Sequence, residues 1–146
     1  MIYKAGHSDA QAAAEMAILM WGNHTVEELT EDMSSVIDSP EGAVFLAREG
    51  EEFIGFAQCQ LRNDYVEGTE SSPVGYLEGI LVREEYRHQG YARALLERCQ
   101  QWAEEQGCSE FASDCELDNE ESYRFHMKVG FEEANRVICF IKQLNN

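Results

Sequence analysis

The chain has 146 residues, 44% hydrophobic and 27% charged, enough to bury a core without metal or disulfide, so one domain spanning 1–146 is expected. Its 28 acidic residues outnumber 11 basic ones, for a formal net charge of -17; this argues against nucleic acid or an anionic membrane as partner and favours cations. Cys59, Cys99, Cys108, Cys115 and Cys139 include no C-x-x-C pair, and His7 and His88 have no metal-ligand spacing, so neither a disulfide framework nor a metal site is expected. With no targeting segment at Met1 and no apolar run of about 18 residues, the expected compartment is the cytoplasm.

Residues 2–5 suit a short first strand. Ser8 and Gln11 have capping-box spacing, and the alanine-rich run 10–21 predicts a helix closed by Gly22. Thr25 and Glu28 repeat the device for a second helix to about Ile37, ended by Ser39-Pro40. Residues 43–48 and 52–62 predict a hairpin around Glu49-Gly50-Glu51. The polar connection 63–73 is too long for a tight turn, and loops of that length are often functional. Tyr76 to Val82 reads as a buried strand. Ala92, Leu95, Leu96, Cys99 and Trp102 then recur at helical spacing up to Gln106, with Gly107 as the stop. A strand over 110–115, a helix capped by Asp118 or Asn119 and running to Val129, a turn at Gly130-Phe131 and a last strand pair ending in 137–144 complete the order. The pattern β-α-α-β-β-β-α-β-α-β predicts an α/β fold with a mixed sheet.

The switch from strand to helix falls on Arg87-His88-Gln89-Gly90-Tyr91-Ala92. A helix start has N–H groups without intrahelical partners and a partial positive charge, so a loop around it suits a phosphate. Glycine at 90 lets the backbone approach the ligand. The phosphate-loop patterns G-x-G-x-x-G and G-x-x-x-x-G-K-[ST] are absent. The loop instead resembles the pyrophosphate signature R/Q-x-x-G-x-G/A of the GNAT superfamily of acyl-CoA-dependent N-acetyltransferases, through Arg87, Gly90 and Ala92.

A narrower resemblance rests on D-Y-V-E-G-T-E-S-S-P-V-G-Y-L-E-G-I, from Asp64 to Ile80, and E-F-A-S-D-C-E-L-D-N, from Glu110 to Asn119. Both are similar to the short aminoglycoside 6'-N-acetyltransferases of type I. That resemblance implies a GNAT fold with six to seven strands in a mixed sheet and about four helices. It implies transfer of acetyl from acetyl-CoA to the 6'-amine of aminoglycosides, antibiotic resistance and a homodimer. Family substrate positions match Trp21, His24, Tyr65, Glu78 and Asp114; a further acidic position of some relatives is Asn135 here, which puts one ammonium contact in doubt. Acetyl-CoA positions match Ile80, Leu81, Val82, Arg87, His88, Gln89, Gly90, Tyr91, Ala92, Arg93 and Asn119.

A polycationic acceptor needs carboxylates, and Glu78 with Asp114, beside Asp64, Glu67 and Glu70, supplies them. Only a neutral amine attacks a thioester, so Glu78 or Asp114, directly or through one water, must take a proton. A backbone N–H on the central strand, at Leu81, is the expected oxyanion donor. Many superfamily members place a tyrosine proton donor within Y-x-K-x-G-F, where this chain has His126-Met127-Lys128-Val129-Gly130-Phe131 and a tyrosine one turn earlier, Tyr123. His126 either donates a proton to the leaving thiolate or only packs against the cofactor arm. Cys115, expected to face away from Asp114, is read as a small buried residue rather than an acyl carrier. The alternatives are an acetyltransferase for another cationic amine (a polyamine, an amino sugar or a protein amine) and a non-catalytic acyl-CoA-binding module.

Overall fold

A computed structural model describes residues Met1 to Asn145 and divides into two compact units, Met1–Asp114 and a second that begins at Cys115. The first unit holds a five-stranded sheet in the order β1 (Ile2–Lys4), β2 (Gly42–Glu49), β3 (Glu52–Arg62), β4 (Val74–Val82) and β5 (Phe111–Ala112). The first four strands run antiparallel to their neighbours, and β5 is parallel to β4. The parallel pair requires a crossover, which α3 (Tyr91–Glu105) provides.

Helices α1 (Ala10–Ala17) and α2 (Val26–Asp38) cover one face. Ala13, Ala14, Met16, Leu29 and Met33 meet Val44, Leu46 and Phe56 there, all buried. The small residues of α1 let it lie close to the sheet. The other face takes α3, which packs where two strands lack a side chain. A Cβ at Gly55 would stand 3.2 Å from Leu95, and one at Gly75 would stand 2.6 Å from Ala103. Gly107, at φ +92°, ends α3 in a Schellman motif, with the Cys108 N–H on the Ala103 carbonyl.

The pairing of β3 with β4 slips once. Gln58 faces Gly79 and Cys59 faces Leu77, so Glu78 is an extra residue without an opposite number. This β-bulge breaks the alternation of sides and re-aims the chain at that point.

Several expectations are corrected. The first helix stops at Ala17 rather than Trp21. The Ser8–Gln11 capping box does not form, because Asp9 accepts the Gly6 N–H at 2.9 Å and starts the helix from there. The strand expected over 110–115 is limited to Phe111–Ala112, and Cys115 is exposed rather than buried. Among the described residues the sheet has five strands, not six to seven, because residues 131–145 form none. A nearly continuous apolar run such as 137–141 has the composition of a strand covered on both faces. Here Ile138, Phe140 and Ile141 are 81%, 90% and 87% exposed.

The second unit carries α4 (Glu120–Lys128), capped by the Asn119 side chain on the Ser122 N–H at 3.1 Å. It closes on Gly130, at φ +103°, with the Phe131 N–H on the His126 carbonyl at 3.0 Å. That is a second Schellman ending. No helix among the described residues is long and apolar enough to cross a membrane.

Candidate active site

The bulge at Glu78 brings two consecutive residues of β4 to the face shared with α1 and α2. Glu78 accepts a forked pair of hydrogen bonds from Arg62, at the end of β3: Nη2 to Oε1 at 2.8 Å and Nε to Oε2 at 3.1 Å. Gly79, the next residue, lies directly under the Trp21 indole, and a Cβ there would be 2.8 Å from the ring. Trp21 is held from behind by an edge-on contact with Phe56, ring centroids 6.1 Å apart. A carboxylate and an aromatic wall thereby stand on adjoining positions of one strand.

Asp114 joins this group through Tyr76. The buried Tyr76 hydroxyl donates to Asp114 Oδ2 at 2.5 Å, and the Arg62 guanidinium carbon lies 3.5 Å above the Tyr76 ring. Burial, then the hydrogen bond to Asp114, pushes the Tyr76 pKa well above its ordinary 10. The phenol is therefore a neutral donor at any physiological pH. The hydrogen bonds to Glu78 raise the Arg62 pKa further, so its charge is permanent. Two carboxylates, one guanidinium and one phenol form a single linked network.

The other expected substrate positions of this unit are spread more widely. His24 donates its backbone N–H to the Trp21 carbonyl at 3.2 Å, while its ring stands 4.0 Å from Glu28 near the start of α2. Tyr65 projects from the loop 63–73 and is 75% exposed. That loop is pinned by Glu110, whose Oε1 accepts the N–H groups of Glu70 and Ser71 at 2.9 Å each, together with the Ser71 hydroxyl. Those donors, the Ser71 hydroxyl first, lower the Glu110 pKa. On its inner side Val66 packs with Val74 and Tyr76.

The loop after β4, the expected phosphate cradle, enters α3 through two left-handed residues. Gly90 begins α3 at φ +90° with no side chain capping the first turn, and His88 is left-handed too, at φ +64°. Space around a Gly90 Cβ is open, so backbone conformation is what favours glycine. Arg87 Nε donates to the Val82 carbonyl at 2.9 Å, closing the loop onto the strand end. Tyr91 donates to Glu49, and Tyr86 donates to Glu52 at 2.6 Å, which ties the cradle to the β2–β3 hairpin. The hydrogen-bonded ladder between β4 and β5 ends at Tyr76 and Ala112. Ile80, Leu81 and Val82 therefore lie on a stretch of β4 beyond that ladder, running into the cradle.

In the second unit, His126 Nδ1 sits 2.7 Å from the Ser122 carbonyl. A carbonyl only accepts, so Nδ1 carries a proton. Phe125 and Phe131 flank the ring at centroid distances of 5.7 and 5.0 Å. The Asn119 carbonyl oxygen is committed to the cap of α4. Asn135 Oδ1 accepts the Arg136 N–H at 2.8 Å.

Sequence reasoning missed Arg62 and Tyr76. Both lie at even-numbered strand positions on the Glu78 side, but their meeting depends on the β3–β4 register, which no local pattern reveals.

A sequence profile of the Acetyltransferase (GNAT) family matches residues 13–131, and the chain belongs to that family. Within it, the chain is 40% identical to the aminoglycoside N(6')-acetyltransferase type 1 of Serratia marcescens, over 99% of both chains. Among solved structures it matches AAC(6')-Iy in complex with the bisubstrate analog CoA-S-monomethyl-acetylneamine, at TM-score 0.93 and 33% identity, covering 99% of this chain and 98% of that one. The 6'-N-acetyltransferase AAC(6')-Ih of Acinetobacter baumannii matches at TM-score 0.91 and 34% identity, over 99% of both chains.

Proposed function

We propose that this protein is an acetyl-CoA-dependent N-acetyltransferase that acetylates the 6'-amine of aminoglycoside antibiotics, and so confers resistance to them. The observation that carries the reading is the pair of carboxylates, Glu78 and Asp114, linked through Arg62 and Tyr76 on the strand where Trp21 lies over Gly79. Full-length similarity to named 6'-N-acetyltransferases supports the choice of acceptor.

The residues present fit acetyl-CoA. Gly90 presents backbone without a side chain, the first turn of α3 has no side-chain cap, and Ala92 adds only a methyl group there. Arg87, His88, Gln89, Gly90, Tyr91, Ala92 and Arg93 would hold the pyrophosphate, with Ile80, Leu81 and Val82 along the acyl arm and Asn119 as a further contact. Bound there, acetyl-CoA supplies an activated thioester.

The chain's own groups do the rest. Glu78 and Asp114 receive the ammonium groups of the acceptor, with Trp21, His24, Tyr65 and Asn135 as further substrate contacts. One of the two carboxylates, directly or through a water, takes the proton that the amine must lose before it attacks. The oxyanion donor expected at Leu81 is corrected by the register: Leu81 pairs with Phe56 in step with the Arg83 N–H on the Ile54 carbonyl, so its N–H belongs to the β3 ladder. The neighbouring N–H groups of Ile80 and Val82, which point away from β3, are the ones that would donate to the developing oxyanion. His126 donates a proton to the departing thiolate. Transfer is direct, with both substrates bound. The exposed apolar segment 137–141 supports a homodimer, and we place the protein in the cytoplasm as one domain.

The reaction is tested by following thiol release from acetyl-CoA with kanamycin A, beside a matched aminoglycoside bearing a hydroxyl in place of the 6'-amine. Turnover with the first alone is expected. Equal turnover with both would refute the 6' assignment, and turnover with neither would shift the reading to another cationic amine or to acyl-CoA binding alone.

A further inference from the structure

The cation in the carboxylate network reaches its partner across the strand. Arg62 is opposite Val74 in the β3–β4 register, yet its guanidinium ends four residues further along β4, on Glu78. To reach it, the side chain runs diagonally across the face of Tyr76. It is 43% exposed at its site, against 20% for Glu78, so the pair is partly open to water. What the arrangement does supply is geometry. The planar fork engages both oxygens of Glu78 and fixes the plane of that carboxylate. Stacking 3.5 Å over the Tyr76 ring fixes the phenol that donates to Asp114. One residue thus holds both acidic groups at set positions.

We infer that Arg62 is a positioning residue for the cationic acceptor: it clamps Glu78 through both oxygens and, through Tyr76, steadies Asp114, so that the acceptor amine meets two carboxylates already aimed. It also leaves the group with one net negative charge instead of two. An acceptor is then bound by directed hydrogen bonds, which discriminate by shape, more than by bulk attraction, which does not. This inference rests on the acceptor reading above.

The test uses the full chain and the variants R62M, R62K, E78Q and R62M/E78Q, with kcat and KM measured for kanamycin A and acetyl-CoA. R62M should lose roughly 100-fold in kcat/KM for kanamycin A, the scale of a misaimed reacting group, with KM for acetyl-CoA unchanged. R62K should not restore it, because an ammonium can neither fork nor stack. The double variant should lose less than the product of the two single losses, because the clamp on Glu78 is shared between them while the hold on Tyr76 is not. An R62M enzyme within twofold of wild type, full rescue by R62K, or losses that multiply in the double variant would each overturn the inference. The Arg62 Nε–H resonance reads the clamp without any acceptor. A sharp signal in the wild-type protein that is lost in E78Q supports it, and a signal indifferent to E78Q overturns it. Absence of wild-type turnover with kanamycin A would count against the acceptor reading alone.

Discussion

Gly79 shows how much of this site depends on one missing methyl group. The Trp21 ring lies where a Cβ would be, 2.8 Å from its ideal position, below any ordinary van der Waals contact. Gly79→Ala must therefore push the indole off the strand beside Glu78. The expected cost is roughly 1 to 3 kcal/mol of stability, as for other overpacked sites. Displacement of the aromatic wall should also lower kcat/KM for kanamycin A by about tenfold or more, while KM for acetyl-CoA stays put. Thermal unfolding and steady-state kinetics on the one variant check both parts, and an unchanged acceptor kcat/KM would remove Trp21 from the site. The types of residue at issue were legible beforehand: carboxylates on an apolar strand, a tryptophan at a helix end, a glycine before a helix. Their grouping was not. Strict alternation would send Gly79 to the side away from Glu78, and only the bulge, a property of two strands together, turns both toward Trp21. Arg62 escaped notice for the same reason, since a residue sixteen positions away in sequence becomes a partner only through register.

At the scale of elements, the long loop 63–73 behaves as a fastened structure because of Glu110. Its carboxylate gathers two backbone N–H groups and a hydroxyl from Glu70 and Ser71, and these donors favour the charged form. The folded pKa is depressed, so this contribution to stability is fully present above the unfolded value of about 4.3. It is lost as pH falls through the lower folded value. The amide resonances of Glu70 and Ser71 should accordingly titrate together, with a midpoint below about 4.3. In Glu110→Gln that titration should vanish, and independent midpoints for the two amides would contradict the shared anchor. Most element boundaries could be read from caps and periods: the Thr25–Glu28 box starts α2, Gly107 ends α3 and Asn119 starts α4. The errors came where a local signal lost to a stronger neighbour. The Ser8–Gln11 spacing yielded to Asp9, and the strand over 110–115 stopped at Ala112, where its ladder with β4 ends.

On the scale of the whole molecule, the segment 137–141 does not satisfy its own pattern. Residues 137–141, Val-Ile-Cys-Phe-Ile, have the composition of a strand buried on both faces, yet they form no strand, and Val137, Ile138, Phe140 and Ile141 are 63 to 90% exposed. Burying each such side chain is worth about 1.5 to 3 kcal/mol. An acidic, otherwise polar surface gives no reason to forgo that gain. A second copy of the chain brings the same apolar segment, and a twofold arrangement buries both by one closed contact. The protein should therefore scatter light as two chains at micromolar concentration. The double variant I138D/F140D, which places charge in the segment, should shift it toward one chain. A wild-type monomer would refute the dimer. A variant that stays dimeric would move the interface elsewhere on the molecule.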